Sequence, residues 1–115
     1  RIWCGRGLVF VGNMAQYALG LPVVRDAAPD DGLLDLLILP CSHQVALLGH
    51  SLRTLARCHV DHPGVVYRRV RQVKVTSTTA VPVELDGDAA GHLPLDVRVL
   101  PGAIRVLIPP SGPGR

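Results

Sequence analysis

Leu33-Leu34-Asp35-Leu36-Leu37-Ile38-Leu39, closed by Pro40, is the stretch of sequence that bears most directly on the fold. An apolar run of this length, interrupted only by Asp35, is typical of a buried strand. Upstream, Gly7-Leu8-Val9-Phe10-Val11 is a second such run, and Gly12-Asn13 closes it with a turn signal. We therefore predict two buried strands, joined by a long loop over residues 14–31.

From Val65 onward the sequence is typical of β-structure, because valines recur at every second or fourth position. The valines at 66 and 70 share one parity, whereas those at 73 and 75 share the other. A change of parity within a continuous β-pattern predicts a bulge, which we place near Gln72.

Further strands are predicted nearer the C-terminus. Apolar and polar residues alternate over residues 81–85 and again over residues 93–99, separated by a segment rich in Asp and Gly. This pattern predicts a hairpin in which the two runs face each other across residues 87–92. A last strand over residues 104–108 is predicted after the Pro101-Gly102 turn.

One amphipathic helix is predicted between the two groups of strands. Val45, Leu48, Leu52 and Leu55 recur at helical spacing, and Ser42 can cap the start, which predicts a helix over residues 43–58. Antiparallel hairpins with one attached helix favour two packed layers. The predicted fold class is therefore mostly β, a two-sheet β-sandwich with one amphipathic helix.

Composition restricts the class of protein. Hydrophobic residues make up 48% of the 115 positions and charged residues 18%, which indicates one folded domain. No apolar run reaches the roughly 20 residues that a membrane-spanning helix needs, and no secretory signal is visible. Three cysteines at wide spacings do not form a disulfide framework, so a reducing cytoplasm is expected. Because the chain opens without a methionine, we expect it to be a fragment of a longer polypeptide.

The charge is mildly basic, with a net value of +3. Its nearest approach to a cluster is Arg68, Arg69, Arg71 and Lys74, which in a strand favours a solvated face over a contact surface. A basic face would suit anionic membrane lipid. Aromatic residues are only 3% of the chain, too few for the stacking surfaces that bind single-stranded nucleic acid.

Two groups of short motifs suggest a family. They are Gly12-Asn13 with Ala27-Ala28-Pro29-Asp30-Asp31-Gly32-Leu33-Leu34-Asp35, and Val83-Glu84-Leu85-Asp86-Gly87-Asp88 with Gly91, Leu93-Pro94-Leu95 and the segment 101–109. In order and spacing these motifs resemble the C-terminal domain of the diacylglycerol kinase and sphingosine kinase family, especially its bacterial lipid kinases. The resemblance covers residues 7–109.

That resemblance implies a two-domain enzyme that phosphorylates a lipid hydroxyl, with ATP as co-substrate and Mg²⁺ as cofactor. Residues 1–109 would form the C-terminal β-sandwich domain, and residues 110–115 a flexible tail. ATP would be bound mainly by an N-terminal domain of the same polypeptide, so the fragment alone is expected to be inactive. The implied location is cytoplasmic and peripheral at the membrane. An unpartnered half-enzyme would also expose a surface through which a homodimer could form.

The family's metal segment matches residues 31–35. In bacterial members, the resemblance implies that Asp31 and the carbonyls of Ala28 and Leu33 hold a structural magnesium ion. A carboxylate, carbonyls and waters are the ligands that this hard ion accepts. The alternative reading is a turn in which Asp31 bonds its own backbone and holds no metal.

The family's Asp-Gly-Glu motif matches Asp86-Gly87-Asp88. The resemblance implies that Asp88 is the general base that takes the proton of the lipid hydroxyl. Aspartate keeps that chemistry, but a reach about 1 Å shorter than glutamate can cost on the order of 10²-fold in rate. The alternative is a hairpin turn without a chemical task. The chain also departs from the family in having Arg25 where a proline is usual, and Gly20 as the sole glycine between residues 14 and 31.

Three other functions stay open at the level of sequence. A lone β-sandwich could bind lipid or protein without catalysis. Cys58, His59, Asp61 and His62, with His50 or His92, are crowded enough to suggest zinc, although their spacing is not that of a zinc finger. An enzyme similar to NAD kinase shares the two-domain plan. A Gly-Gly-Asp-Gly-Thr segment upstream would favour the lipid kinase over a binding module.

Overall fold

In a computed structural model, residues 1–15 and 22–107 of the chain are described. These residues form seven strands, one α-helix and one short 3₁₀ helix. Their bounds are β1 Gly7–Gly12, β2 Leu34–Pro40, α1 Gln44–Leu55, the 3₁₀ helix His59–Asp61, β3 Val66–Val70, β4 Gln72–Val75, β5 Pro82–Leu85, β6 Asp88–His92 and β7 Leu95–Arg98. The mostly β fold with one helix is confirmed.

The three-stranded antiparallel sheet β1-β2-β3 lies at the centre of the domain, with β2 in the middle. Residues 34–39 of β2 are all buried. Because successive side chains of a strand point to opposite faces, six consecutive buried residues mean that both faces of β2 are covered. The two buried strands predicted from the apolar runs are therefore present, although β1 itself is only half-buried along its second half.

One face of β2 packs against the loop that precedes it. Leu37 and Leu39 form a core cluster with Val23 and Val24 of that loop. Partly buried residues surround the cluster: Phe10, Ala27, Val60, Val65 and Tyr67. The described part of the long predicted loop is thus a structural layer, because it covers a face of the central sheet that would otherwise expose leucines to water.

The second layer of this small β-sandwich-like domain consists of two separate two-stranded sheets, β4-β7 and β5-β6. The chain passes from the central sheet to the first of these between β3 and β4, at Arg71. The N–H of Val99 donates to the carbonyl of Arg71 at 2.9 Å. The change of parity that predicted a bulge near Gln72 marks this passage between sheets.

The predicted hairpin pairs different strands from those expected. β5 pairs with β6, and β7 pairs with β4. Among the residues described, the two predicted runs meet only at Val81 and Leu93, where the N–H of Leu93 donates to the carbonyl of Val81 at 2.9 Å. Asp86 and Gly87 have φ angles of 49° and 94°. Positive φ at both central residues is the signature of a two-residue type I′ turn, which reverses the chain at once. Residues 88–92, predicted as loop, therefore become β6.

The strand predicted over residues 104–108 does not form in its described part. Residues 104–107 are exposed and have no strand partner among the described residues, and Ile108 lies outside them. Strand geometry needs a hydrogen-bonded neighbour, and alternation of apolar residues alone does not provide one. The Pro101-Gly102 turn is present, with the N–H of Ala103 donating to Leu100. The predicted tail 110–115 also lies outside the described residues.

Helix α1 is shorter than predicted. His43 is its N-cap, with Nδ1 accepting from the N–H of Ala46 at 3.2 Å, so the prediction of Ser42 as cap was wrong. At the other end Arg57 has a φ of 57°, and the N–H of Cys58 donates to Arg53 in a Schellman arrangement. The predicted apolar face is exposed to solvent. Its place on the sheet is taken by the loop around Val23.

We expect Leu37→Ala to lower the free energy of unfolding by about 2–5 kcal/mol, because Leu37 is fully buried and its truncation leaves a cavity in the core cluster. Leu52→Ala is the matched control. Its side chain is 58% exposed, so we expect a change within about 0.5 kcal/mol. Urea unfolding followed by circular dichroism measures both. A large loss in Leu52→Ala would mean that the apolar face of α1 is buried after all.

Candidate functional site

Asp31 lies in the turn that leads into β2. Its Oδ1 accepts a hydrogen bond from the N–H of Leu33 at 2.8 Å. Gly32 between them has a φ of +72°, a left-handed conformation that glycine adopts without strain. The turn therefore holds Asp31 in a fixed orientation, with Ala28 and Leu33, the other predicted metal ligands, in the same loop.

The turn is tied to the end of β1 by Asn13. Its side-chain Nδ2 donates to the carbonyl of Pro29 at 3.5 Å. At Gly12, a Cβ atom would lie 2.7 Å from Cγ2 of Val24, so a side chain at this position would push the loop away. Gly12 thus allows the loop that carries Asp31 to pack closely against β1, and Asn13 holds the loop by a hydrogen bond.

Arg69 of β3 links Asp31 to a second, buried carboxylate. Its Nη2 contacts Oδ2 of Asp31, and its Nε lies 3.9 Å from Oδ1 of Asp35. Asp35 is fully buried, and Arg69 is its register partner across the sheet. Both oxygens of Asp31 are therefore engaged, one by a backbone N–H and one by a guanidinium.

Tyr67 completes this network. Its hydroxyl donates to Oδ1 of Asp35 at 2.5 Å and accepts from the N–H of Asp26 at 3.3 Å. Burial, followed by the hydrogen bond to Asp35, raises the pKa of Tyr67. The phenol therefore stays protonated and acts as a donor to the buried carboxylate. Oδ2 of Asp35 has no hydrogen-bond partner among the described residues.

An open cavity of about 570 Å³ lies beside the Asp31 turn. Acidic groups of the turn and basic groups of the second layer share its wall. The lining residues are Asp30, Asp31, Gly32, Arg71, Gln72, Arg98, Val99 and Pro101. The arginine cluster was predicted to be a solvated face. Two of its members make more specific contacts, since Arg69 binds carboxylates and Arg71 lines this cavity.

Asp88 is the first residue of β6 and the register partner of Leu85. It is exposed, directly after the type I′ turn at Asp86 and Gly87. A hairpin of this kind presents the Asp88 carboxylate near a rigid turn, where solvent or a second surface can reach it. Asp88 does not line the cavity beside Asp31, so Asp31 and Asp88 do not share one pocket.

A second, more apolar cleft of about 450 Å³ lies between β1 and the two smaller sheets. The strands contribute Leu8 and Phe10 from β1, Val75 from β4, Val83 and Leu85 from β5, and Leu95 and Val97 from β7. Asp86 of the hairpin turn is also in the lining, so the cleft reaches the turn that carries Asp88. Its size and lining are those of sites that take small apolar molecules.

Two of the four histidines considered for zinc, His50 and His59, bond backbone carbonyls. Nε2 of His59 lies 2.7 Å from the carbonyl of Val23, and Nε2 of His50 lies 2.9 Å from that of Pro40. His62 meets His50 edge to face, with ring centroids 5.9 Å apart. In the part of the chain that the structure describes, no three metal-binding side chains converge on one point.

Arg25, which departs from the family pattern, has a structural role. Its Nη1 donates to Asp61 and to the carbonyl of Arg57, both at 3.2 Å, while Nε pairs with Asp26. It thereby joins the loop before Asp31 to the end of α1. Sequence reasoning missed this contact, together with the roles of Tyr67 and Arg69, because each joins residues more than 30 positions apart.

Comparison with known proteins identifies the domain. Residues 3–108 match the family model described as the YegS C-terminal NAD kinase beta sandwich-like domain. The chain belongs to this family. The match includes all seven described strands, and it confirms the resemblance drawn from the Asp31 and Asp88 motifs.

Curated relatives of this YegS-type domain carry the name diacylglycerol kinase. The protein from Staphylococcus carnosus (strain TM300) is 33% identical over 112 residues, which cover 90% of this chain and 36% of that protein. The protein from Staphylococcus aureus (strain bovine RF122 / ET3-1) is also 33% identical, over 90% of this chain and 35% of its own length. The chain thus spans about a third of the relatives it matches.

Among the residues described, no helix is long and apolar enough to cross a membrane, and α1 has only 12 residues.

We expect Tyr67→Phe to destabilise the domain at neutral pH by about 1–3 kcal/mol, because a buried carboxylate loses its closest donor. A second effect depends on pH. The folded state raises the pKa of Tyr67 above the ordinary value of about 10, so its contribution is complete below pH 10 and is lost as the pH rises further.

Denaturant unfolding of wild type and Tyr67→Phe between neutral and strongly alkaline pH measures both effects. The two proteins should differ most at neutral pH and converge in alkali. A constant difference across this range would mean that Tyr67 does not titrate with unfolding.

Proposed function

We propose that this chain is the C-terminal, substrate-side domain of an ATP-dependent lipid kinase that phosphorylates a lipid hydroxyl of the diacylglycerol type. The observation that supports this most is a sequence match to proteins named diacylglycerol kinase, which covers 90% of the chain at 33% identity. Those proteins are nearly three times as long, which supports an N-terminal nucleotide-binding domain in the same polypeptide. On this proposal the domain alone does not turn over ATP.

In the proposed reaction, Asp88 accepts the proton of the lipid hydroxyl while that oxygen attacks the γ-phosphorus of ATP. The bond from the γ-phosphorus to the bridging oxygen breaks, and ADP leaves. The exposed position of Asp88, next to a rigid type I′ turn, supports this role, because a general base must reach a substrate held by another surface. Asp86 belongs to the turn that holds Asp88 in place.

The apolar cleft supports the choice of a lipid as substrate. Its aliphatic lining suits hydrocarbon, and it extends to Asp86, two residues from the proposed base. A lipid whose chain entered this cleft could present its polar end toward the Asp86–Asp88 turn. The cleft therefore supports a substrate with an apolar body and a single reactive hydroxyl.

Mg²⁺ is proposed at Asp31, with the carbonyls of Ala28 and Leu33. The donors suit this ion in kind, and the turn orients the carboxylate. Arg69 contacts the oxygen Oδ2 that a metal would use, so a bound ion and the guanidinium would compete for it. A magnesium ion there would supply positive charge and rigidity to the loop, a structural contribution.

The proposed location is the cytoplasmic face of the membrane, where a lipid kinase meets its substrate. A homodimer, expected from the exposed surface of the isolated domain, stays a prediction. An NAD-kinase-like activity has no support beyond the words of the family description.

We expect Asp88→Asn to lower kcat of the two-domain polypeptide by about 10²–10⁴-fold, because an amide cannot accept the proton. Asp96→Asn is the matched control, because Asp96 is exposed on β7 and lines neither cavity. An asparagine amide oxygen can still accept from Gln72, so activity should stay close to wild type. Asp88→Glu should raise kcat, since it restores the reach of the family's usual residue.

These rates are measured by transfer of radiolabelled phosphate from ATP to diacylglycerol dispersed in detergent. Equal labelling by wild type and Asp88→Asn would remove Asp88 from the mechanism. No labelling by any folded variant would favour a lipid- or protein-binding module without catalysis.

We expect Mg²⁺ to raise the thermal midpoint of the domain in proportion to the logarithm of its concentration above Kd. Asp31→Asn should abolish this rise, because its amide oxygen still accepts from Leu33 but carries no charge for the ion. Arg69→Gln should enhance it by removing the competing cation. Scanning calorimetry measures all three, and an equal rise in Asp31→Asn would place the ion elsewhere.

A further inference from the structure

Helix α1 presents its apolar side to solvent. Val45 is 76% exposed, Leu48 61%, Leu52 58% and Leu55 64%. These four residues, which we call the α1 stripe, follow a spacing of three and four positions and lie along one side of the helix. Four large side chains in one continuous row go beyond the scattered exposure that is ordinary for surface residues.

The opposite side of α1 attaches the helix to the domain. His50 is its one buried residue, and Nε2 of that ring lies 2.9 Å from the carbonyl of Pro40 at the end of β2. At 3.6 residues per turn, His50 lies about 180° around the helix from the middle of the α1 stripe. The helix cannot bury the stripe against its own domain without breaking this contact.

The helix is also poorly equipped to stand alone. It has 12 residues and contains Gly49 in its middle, whereas isolated helices shorter than about 12–15 residues are marginal in water. Its ends are fixed, because His43 caps the start and Arg25 bonds the carbonyl of Arg57 beyond the end. A helix held in this orientation, with an apolar stripe outward, gains stability when another phase covers the stripe.

The charge around the stripe indicates which phase that is. No aspartate or glutamate occurs between Asp35 and Asp61, whereas Arg53 and Arg57 lie at the C-terminal end of the helix. The backbone of Arg6 lies next to the segment that precedes the helix, since its carbonyl accepts from the N–H of Cys41 at 3.0 Å. Asp61, near the C-terminal end, is paired with Arg25. An apolar stripe with arginines at the C-terminal end and no acidic residue on the helix itself is the pattern of a helix that lies in the interface of an anionic membrane.

We propose that α1 docks the domain onto the surface of an anionic lipid bilayer. The α1 stripe lies in the boundary between headgroups and acyl chains, and the arginines contact the headgroups. The helix is about 18 Å long, which suits it to lie in the interface and not to cross it. This inference rests on the proposed function in that a lipid kinase takes its substrate from such a surface.

The experiment is flotation of the 115-residue chain with two kinds of vesicle, phosphatidylcholine alone and phosphatidylcholine mixed with phosphatidylglycerol. Leu48→Glu/Leu52→Glu should weaken partitioning by at least about tenfold, since burying even one leucine changes an equilibrium constant by that much. Leu100→Glu is the matched control, because Leu100 is 70% exposed outside α1 and should float like wild type. Arg53→Gln/Arg57→Gln should lose about fivefold for each charge, in the mixed vesicles alone.

Circular dichroism checks that each variant is folded. If the glutamates unwind the helix, Leu48→Ala/Leu52→Ala removes the same apolar area while favouring the helix. Wild-type flotation that is equal to that of both leucine variants, or absent altogether, overturns the proposal. Concentration-dependent dimerisation that the leucine variants abolish, without flotation, would assign the stripe to a second copy and also overturn it.

Failure of the docking surface and failure of the proposed function give different results. In the two-domain polypeptide, the leucine variants should lose phosphorylation of diacylglycerol in vesicles but keep it in detergent. If the leucine variants phosphorylate diacylglycerol in both vesicles and detergent, and float like wild type, the docking surface is rejected and the kinase is kept. No phosphorylation by wild type in either presentation rejects the kinase, while the flotation result still decides the docking surface.

Discussion

The burial of β2 on both faces is the constraint on which the rest of the structure depends. One face is covered by Val23 and Val24 of the preceding loop, and this fixes the path of the loop. The same loop continues into the turn that carries Asp31. The position of this turn therefore depends first on hydrophobic packing of the loop against Leu37 and Leu39. The polar contacts of the turn then fix its orientation.

Asp35 places a buried carboxylate in the middle of the apolar run of β2, and this carboxylate needs hydrogen-bond or charge partners. A buried carboxylate is expensive unless other groups satisfy it, and here Tyr67 donates to it while Arg69 lies nearby. Both partners come from β3, so the pairing of β2 with β3 and the solvation of Asp35 depend on each other. Through Arg69 the network also reaches Asp31, which couples the proposed metal site to the core of the sheet.

The loop and helix α1 attach to the domain in different ways. The loop covers Leu37 and Leu39, whereas the helix contacts the end of β2 through His50 and leaves its leucines exposed. The apolar cleft and the α1 stripe both lie outside this small core. A domain that buries few side chains beyond β2 leaves apolar surface exposed.

The sequence by itself determined the elements whose cause is local. Continuous apolar runs predicted β1 and β2, helical spacing predicted α1, and the motifs around Asp31 and Asp88 predicted the family. Local patterns did not decide which strands pair, which side of α1 faces the domain, or what happens to residues 104–107. The type I′ turn at Asp86-Gly87 selected β6 as the partner of β5, and the loop around Val23 supplied the side chains that cover Leu37 and Leu39. Those outcomes depend on competition between distant segments for the same surface, and a periodic pattern records that a residue is apolar without recording which partner covers it.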